Sequence, residues 1–241
     1  MSWWGVVGAA VAAVVVATAV LLRAGAEERR LRWLGGRTVV VTGASSGIGR
    51  AVAHECARRG AHLVLAARRQ ARLEAVAAEC AALGAPSVRV HACDVADAAA
   101  CRRLVDAVRA ALEPRGARVD LLVLSAGVGM DFSLADTTPA AADAIMRANF
   151  WGPLWLLQHA LEDGVFAAPP SSSTEGSSDG PARVAVVSST SAFLPRRNRA
   201  MYGASKAAVA ELRDRRVARL CQEHRALHRG LASPCSQQHC H

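Results

Sequence analysis

One tyrosine and one lysine stand four residues apart near the end of the sequence. Tyr202 is the only tyrosine of the chain, and Lys206 is the only lysine among 29 basic residues. On a helix, this spacing places both side chains on one face, one turn apart. An ammonium group fixed beside a phenol favours the phenolate and makes the phenol a usable proton donor near neutral pH. The alternative interpretation is that Tyr202 is a half-buried aromatic residue of the helix and that Lys206 is a solvated side chain.

A glycine-rich segment, TGASSGIG over residues 42–49, follows the β-branched run Val39-Val40-Val41. A buried strand, a glycine turn and a helix in this order predict a dinucleotide site, because the amide groups of a helix N-terminus bind phosphates. Gly43 permits the tight turn, Gly47 lets the pyrophosphate approach the backbone, and Gly49 allows close packing of the helix. The predicted cofactor contacts in this segment are Gly43, Ser45, Ser46, Gly47, Ile48 and Gly49.

Arg68 follows the second predicted strand, which covers residues 62–67. An acidic residue at this point would bind the ribose hydroxyls of NAD, whereas an arginine favours the 2′-phosphate of NADP through a charge-assisted contact. The sequence therefore predicts NADP(H) in preference to NAD(H). The alternative, in which Arg68 is an ordinary exposed residue of an arginine-rich chain, stays open.

Strands and helices alternate through the middle of the chain. The pattern predicts strands over 37–43, 62–67, 88–93, 119–124 and 183–188, and helices over 50–59, 71–83, 98–109 and 140–161. Such alternation predicts an α/β fold with a Rossmann-like, doubly wound parallel sheet. Ligands of these sheets bind at the carboxyl edge of the strands. Four further predicted cofactor contacts lie there: Asp94, Val95, Ala126 and Gly127.

Taken together, these features resemble the short-chain dehydrogenase/reductase family over about residues 37–210. The resemblance rests on the segment 42–49, Cys93-Asp94-Val95, Ser125-Ala126-Gly127, Asn149, Ser189 and the pair Tyr202 and Lys206. It implies that Tyr202 is the general acid and base and that Lys206 supports it and holds the nicotinamide ribose. Ser189 would bind the substrate carbonyl, and Asn149 would position a water in the proton relay. Within the family, the chain is most similar to the membrane-anchored dehydrogenase/reductase family member 7 group, in particular its B type.

The resemblance implies an NADP(H)-dependent enzyme that interconverts a carbonyl and an alcohol. The membrane anchor predicted below favours a lipophilic substrate, such as a steroid, a retinoid or an acyl-lipid ketone. Homodimerisation stays open.

The sequence departs from the family pattern at two points. Leu124-Ser125-Ala126-Gly127 stands where the family has Asn-Asn-Ala-Gly, so we expect a polar tie across the central strands to be missing. After about residue 210 the pattern ends, and we expect a sheet that lacks its last strands. An alternative function is therefore a truncated, catalytically impaired form that binds cofactor or partner chains without turnover.

The first residues predict a membrane anchor. The segment from Trp3 to Leu22 contains no charge and is long enough to span a bilayer as a helix. Arginines follow it, which by the positive-inside tendency keeps the catalytic domain in the cytosol. A cleaved signal peptide is the competing interpretation. We expect a single-pass membrane protein of the endoplasmic reticulum or of peroxisomes.

The sequence thus predicts an anchor over 1–24, a basic juxtamembrane linker over 25–36, a Rossmann-like domain over 37–212 with a disordered insertion at 163–182, and an atypical tail over 213–241. The net charge of +9 comes from arginines scattered along helical patterns, so we expect no nucleic-acid partner. Seven cysteines without disulfide-type spacing indicate a reducing compartment. The cysteines and histidines of the tail match no zinc module, and we expect no metal.

Overall fold

The computed structural model describes residues 32–166 and 182–212. Five strands of these residues form one sheet, in the order β3-β2-β1-β4-β5. They are β1 (Thr38–Thr42), β2 (His62–Ala67), β3 (Val88–Ala92), β4 (Leu121–Leu124) and β5 (Arg183–Val186). All neighbouring strands are parallel. The predicted Rossmann-like parallel sheet is therefore confirmed.

Six α-helices connect and flank these strands in the described part of the chain. They are α1 (Gly47–Arg58), α2 (Gln70–Ala82), α3 (Ala98–Leu112), α4 (Pro139–Met146), α5 (Gly152–Glu162) and α6 (Ala200–Glu211). Short 3-10 turns cover Arg32–Leu34, Glu113–Arg115 and Thr190–Ala192. Helix α1 begins three residues earlier than predicted, so residues 47–49 form its first turn.

The core lies around the two central strands. All five residues of β1 are buried, and β2 is buried from its second residue onwards. Strands that are covered on both faces show such continuous apolar runs, which explains the unbroken sequence of β-branched and aliphatic residues. The outer strand β5 instead alternates between exposed and half-buried residues. Because ligands of such sheets bind at the carboxyl edge, the loops after the strands are where a site is expected.

The single helix predicted over 140–161 is instead interrupted. Helices α4 and α5 are joined by a π-helical turn, Arg147–Trp151, which contains Asn149. Pro153 gives the physical reason: it lacks the N–H that would bond the carbonyl of Asn149 in a regular α-helix. Single π turns of this kind are frequent at functional sites.

The insertion predicted as disordered over 163–182 begins with ordered residues. Val165 and Phe166 are buried in the core, which Leu104 and Leu156 share. The N–H of Val119 also donates to the carbonyl of Val165 at 2.8 Å. Two large apolar side chains at the start of the segment therefore fix it against the core. Residues 167–181 lie outside the described residues.

Other predictions also concern residues outside the described ranges. The predicted anchor over 1–24 and the tail over 213–241 are among them, and so are the cysteines and histidines of that tail. Within 32–166 and 182–212, no helix is both long and apolar enough to cross a membrane. The same residues contain no group of three potential metal ligands.

Candidate active site

A cleft of about 560 Å³ opens among the loops that follow β1, β2, β3 and β4. Nine predicted cofactor residues line it: Gly43, Ser45, Ser46, Ile48, Arg68, Asp94, Val95, Ala126 and Gly127. The lining also includes residues that the sequence pattern does not single out, notably Arg69, Asp143 and Arg147. The predicted nucleotide contacts are thus gathered at the carboxyl edge of the sheet.

Two glycines of the segment 42–49 make contacts that no side chain would permit. A Cβ atom on Gly43, whose φ is +69°, would lie 2.8 Å from the backbone N and Cα of Ala126. A Cβ atom on Gly49 would lie 2.4 Å from the carbonyl oxygen of Gly43. Gly47 has a φ of +56° and open space beside it. The turn after β1 is therefore tightly packed against both the helix and the loop after β4.

The N-terminus of α1 opens into this cleft at Ser46. Ser46 is the N-cap residue, but its side chain makes no hydrogen bond to the end of the helix. The first N–H groups of a helix have no partners within the helix, and together with the helix dipole they form an anion site. This geometry fits the phosphates of a dinucleotide.

Two exposed arginines stand at the same cleft. Arg69 directs its Nη2 atom to the hydroxyl oxygens of Ser45, at 3.4 Å, and Ser46, at 3.3 Å. Arg68 lines the cleft beside it. The sequence pattern points to Arg68 alone. Arg69 could have been found because it directly follows Arg68 in the same loop. The cleft therefore presents two guanidinium groups close to the glycine-rich segment.

The polar tie predicted to be missing between the central strands is present in another form. The Thr42 hydroxyl accepts hydrogen bonds from the N–H groups of Ser125 and Ala126, at 3.1 and 3.3 Å, and donates to the carbonyl of Val123 at 3.3 Å. Thr42 is buried, at 1% exposure. A threonine from β1 thus supplies the link that we expected from an asparagine after β4.

Asn149 is buried and its side-chain amide is fully engaged. Its Oδ1 accepts from the N–H of Val128 at 2.8 Å, and its Nδ2 donates to the carbonyl of Val128 at 3.0 Å and to the hydroxyl of Ser205 at 2.9 Å. Asn149 therefore fastens the loop after β4 to helix α6. The role in positioning water that the resemblance implies stays a prediction, and the side-chain amide links these two elements.

Tyr202 and Lys206 lie one turn apart on α6, as their spacing predicts. The Nζ atom of Lys206 is 5.9 Å from the centroid of the Tyr202 ring and donates to the carbonyl of Val187 at 2.9 Å. Lys206 is only 6% exposed. This burial lowers the pKa of the Lys206 ammonium. The hydrogen bond to Val187 holds the Nζ atom beside the phenol.

The segment after β5 holds Ser189 against the same helix. The Ser189 hydroxyl accepts from the N–H of Ser191 at 3.2 Å and begins the turn Thr190–Ala192. A Cβ atom on Gly203 would lie 2.8 Å from the carbonyl oxygen of Ser191, so this turn packs directly on α6. The Ser188 hydroxyl donates to the carbonyl of Lys206 at 3.0 Å. These contacts place Ser189 next to the helical turn that carries Tyr202.

Gly127 joins the nucleotide cleft to this second group of residues. It lines the cleft, and a Cβ atom on it would lie 2.9 Å from Oδ1 of Asn149 and 3.4 Å from Nζ of Lys206. Ser189, Tyr202 and Lys206 do not line the cleft themselves, but the ammonium of Lys206 lies directly behind Gly127, which does.

The buried Lys206 predicts a pH-dependent contribution to stability. Because its pKa is lowered in the folded chain, the unfolded chain binds more protons between that lowered pKa and the ordinary value of 10.5. By linkage, the free energy of unfolding rises with pH in this window. We expect the free energy of unfolding of the wild type, relative to Lys206→Met, to increase in urea titrations as the pH rises from neutrality towards 10.5, the ordinary pKa of a lysine. A flat or falling difference would show that folding does not desolvate the ammonium.

Comparisons with known proteins agree with this geometry. A family model described as short chain dehydrogenase matches residues 37–225. Among curated proteins, 11-beta-hydroxysteroid dehydrogenase A of Sesamum indicum is 39% identical over 178 residues, which cover 73% of this chain and 46% of that protein. An 11-beta-hydroxysteroid dehydrogenase-like protein of Arabidopsis thaliana, 4A, is 37% identical over 180 residues, which cover 72% of this chain and 53% of the relative. The chain thus spans about half the length of these relatives.

Solved structures show the same fold. A metagenomic short-chain oxidoreductase in complex with NADP superimposes with a TM-score of 0.64 at 31% identity, covering 80% of this chain and 79% of the other. A short chain dehydrogenase/reductase from Burkholderia phymatum in complex with NAD gives a TM-score of 0.62 at 29% identity, with 74% and 58% covered. With the family match over most of its length and relatives above a third identical, this chain belongs to the short chain dehydrogenase family.

Proposed function

We propose that the protein is an NADP(H)-dependent oxidoreductase that interconverts a carbonyl and an alcohol on a lipophilic substrate. The observation that carries the proposal is the position of Gly127, which lines the cleft and lies next to the ammonium of Lys206, one helical turn from Tyr202. The names of the relatives, as hydroxysteroid dehydrogenases, support this reaction class.

The residues of the cleft fit a nicotinamide dinucleotide. Gly43 and Gly49 leave no room for side chains at the turn, and the uncapped N-terminus of α1 suits the phosphates. Asp94, whose Oδ1 accepts from the N–H of Ala96 at 3.0 Å, and Val95 line the wall beyond β3. The nicotinamide end would lie towards Gly127 and Lys206. When bound, the cofactor supplies or accepts the hydride at the carbonyl carbon.

Tyr202 and the side chains around it would transfer the proton. Tyr202 donates its hydroxyl proton to the carbonyl oxygen during reduction and takes a proton from the alcohol during oxidation. The ammonium of Lys206 favours the resulting phenolate by charge attraction, and the hydroxyl of Ser189 donates a hydrogen bond to the substrate oxygen. These roles balance the reaction, since the proton reaches oxygen as the hydride reaches carbon.

We assign Asn149 a positioning role through its amide. Its hydrogen bonds to Val128 and Ser205 hold the loop beside Gly127 and the helix that carries Lys206 at a fixed separation. Its backbone carbonyl lies in the π turn, where Pro153 cannot donate to it. That carbonyl, rather than the side chain, is the group suited to hold a water of a proton relay.

The two arginines of the cleft predict a preference for NADP(H). We expect Arg68→Asp and Arg69→Asp each to reduce the affinity for NADP⁺ relative to NAD⁺ by about 10- to 100-fold, because a charge-assisted contact to the 2′-phosphate is replaced by repulsion. Dissociation constants from calorimetry would measure this. Arg72→Asp, an equal charge change on the exposed side of α2, is the control and should leave the ratio unchanged. An unchanged ratio in both cleft variants would place the 2′-phosphate elsewhere.

A lipophilic substrate accords with the apolar N-terminal segment, which we propose as a single-pass anchor in the endoplasmic reticulum or peroxisomal membrane with the domain in the cytosol.

The reaction itself is tested by NADPH oxidation with the full chain and a panel of lipophilic ketones, including an 11-oxosteroid. We expect at least one ketone to be reduced with NADPH in preference to NADH. Binding of NADPH without reduction of any ketone would contradict the proposed function.

A further inference from the structure

Arg199 stands directly beside the proposed proton donor. Its guanidinium carbon is 5.7 Å from the centroid of the Tyr202 ring. On its other side, the Nη1 atom lies 3.6 Å from the place that a Cβ atom on Gly129 would take. The side chain is half-buried between the start of α6 and the loop after β4. A second cation, besides Lys206, is thus held next to the reacting group.

Several arginines of the described residues are paired with carboxylates, whereas Arg199 is not. Arg147, for example, is paired with Asp143 at 2.6 Å, and Arg50 with Glu79 at 2.6 Å. Within residues 32–166 and 182–212, no carboxylate forms an ion pair with Arg199, whose one side-chain interaction is with the Tyr202 ring. A half-buried charge without a counter-ion is unfavourable. The guanidinium of Arg199 is therefore suited to pair with an anionic group of a bound ligand.

The loop that leads to Arg199 contains two large apolar residues that are mostly exposed. Phe193 is 67% exposed and Leu194 is 63% exposed. Both belong to the segment between Ser189 and Arg199, which leads into the start of α6. A ligand that matches this surface has an apolar body and an anionic group.

We propose that Arg199 binds a carboxylate of the substrate, a few bonds away from the carbonyl that reacts at Tyr202. The planar guanidinium can form two parallel hydrogen bonds to a carboxylate, which gives both affinity and orientation. The substrate class is then narrowed to oxo acids with an apolar body. This inference rests on the proposed function, because it assumes that the carbonyl binds at Tyr202.

The inference is tested by binding of an oxo acid and its neutral ester. The full chain in detergent solution is saturated with NADP⁺, which also occupies the anion sites of the cleft, and titrated calorimetrically with 3-benzoylpropionate and with its methyl ester. We expect the acid to bind about 10- to 100-fold more tightly than the ester, as for a hydrogen-bonded charge pair. Arg199→Gln should remove this difference and leave the affinity for the ester within about threefold.

Arg197→Gln is the matched control, because Arg197 is an exposed arginine of the same loop, and it should preserve the difference. Equal affinities of the wild type for acid and ester would overturn the inference. So would an equal loss for both ligands in Arg199→Gln, because that result assigns Arg199 to Tyr202 alone. If Arg199→Gln does not fold, Arg199→Lys decides: it should lose most of the preference, since an ammonium cannot form the paired contact.

Failure of the proposed function has a different signature in the same preparations. There, no ketone is reduced with NADPH, whatever the affinities for acid and ester. Loss of the difference in binding with turnover intact refutes only the role of Arg199.

Discussion

Replacement of Tyr202 by phenylalanine is expected to lower the rate of carbonyl reduction by about 10²- to 10⁴-fold. The substitution removes the proposed proton donor but keeps the ring that Arg199 and Lys206 contact. The dissociation constant of NADPH should change by less than about threefold, because the phosphate contacts at 42–49 and the arginines of the cleft are untouched. Steady-state rates and fluorescence titration with NADPH measure the two quantities.

Trp151→Phe is the control for this experiment, since Trp151 is an exposed aromatic residue of the π turn. It should leave both the rate and the NADPH affinity close to wild type. A parallel loss of nucleotide binding and turnover in Tyr202→Phe would assign Tyr202 to the structure of α6 instead of to chemistry.

Gly49→Ala is expected to destabilise the fold by about 1–3 kcal/mol and to weaken NADPH binding. On helix propensity alone, the change from glycine to alanine would stabilise α1 by about 1 kcal/mol. The new Cβ atom, however, would lie 2.4 Å from the carbonyl oxygen of Gly43, so the turn that forms the phosphate site must move. Urea denaturation and NADPH titration of the same preparation measure both effects.

The control is Gly60→Ala. Gly60 has a positive φ, +73°, and no atom lies within 4 Å of the added Cβ. Only backbone strain of about 1 kcal/mol is expected there, with normal NADPH affinity. A Gly49→Ala chain at least as stable as the wild type would show that the junction of β1 and α1 is looser than described.

The sheet and the nucleotide cleft could be predicted because their signals are local. A buried parallel strand is a continuous apolar run, and the segment 42–49 contains its own turn chemistry. The spacing of Tyr202 and Lys206 likewise fixes their relation on one helix. Such features depend only on neighbouring residues, and their bounds in the structure agree with the predicted bounds within a few residues.

The features that sequence patterns missed depend on distant partners. Asn149 bonds Val128 and Ser205, which lie 21 and 56 residues away. The Thr42 hydroxyl replaces an expected asparagine by reaching residues 81 to 84 positions along the chain. Arg199 is one of many arginines in the sequence, and only the fold separates it from the ion-paired ones. Periodicity and propensity contain no information about such pairings.

We propose that the cleft and the pair Tyr202 and Lys206 together form one hydride-transfer site. The most direct test is to incubate the full chain with NADPH deuterated at C4 of the nicotinamide, in both stereochemical forms, and a panel of lipophilic ketones and oxo acids. Mass spectrometry of the alcohols then locates the label. We predict deuterium on the carbinol carbon from one of the two forms, and none above background with Tyr202→Phe. Saturable NADPH binding without labelled alcohol, or equal labelling by Tyr202→Phe, would contradict the claim.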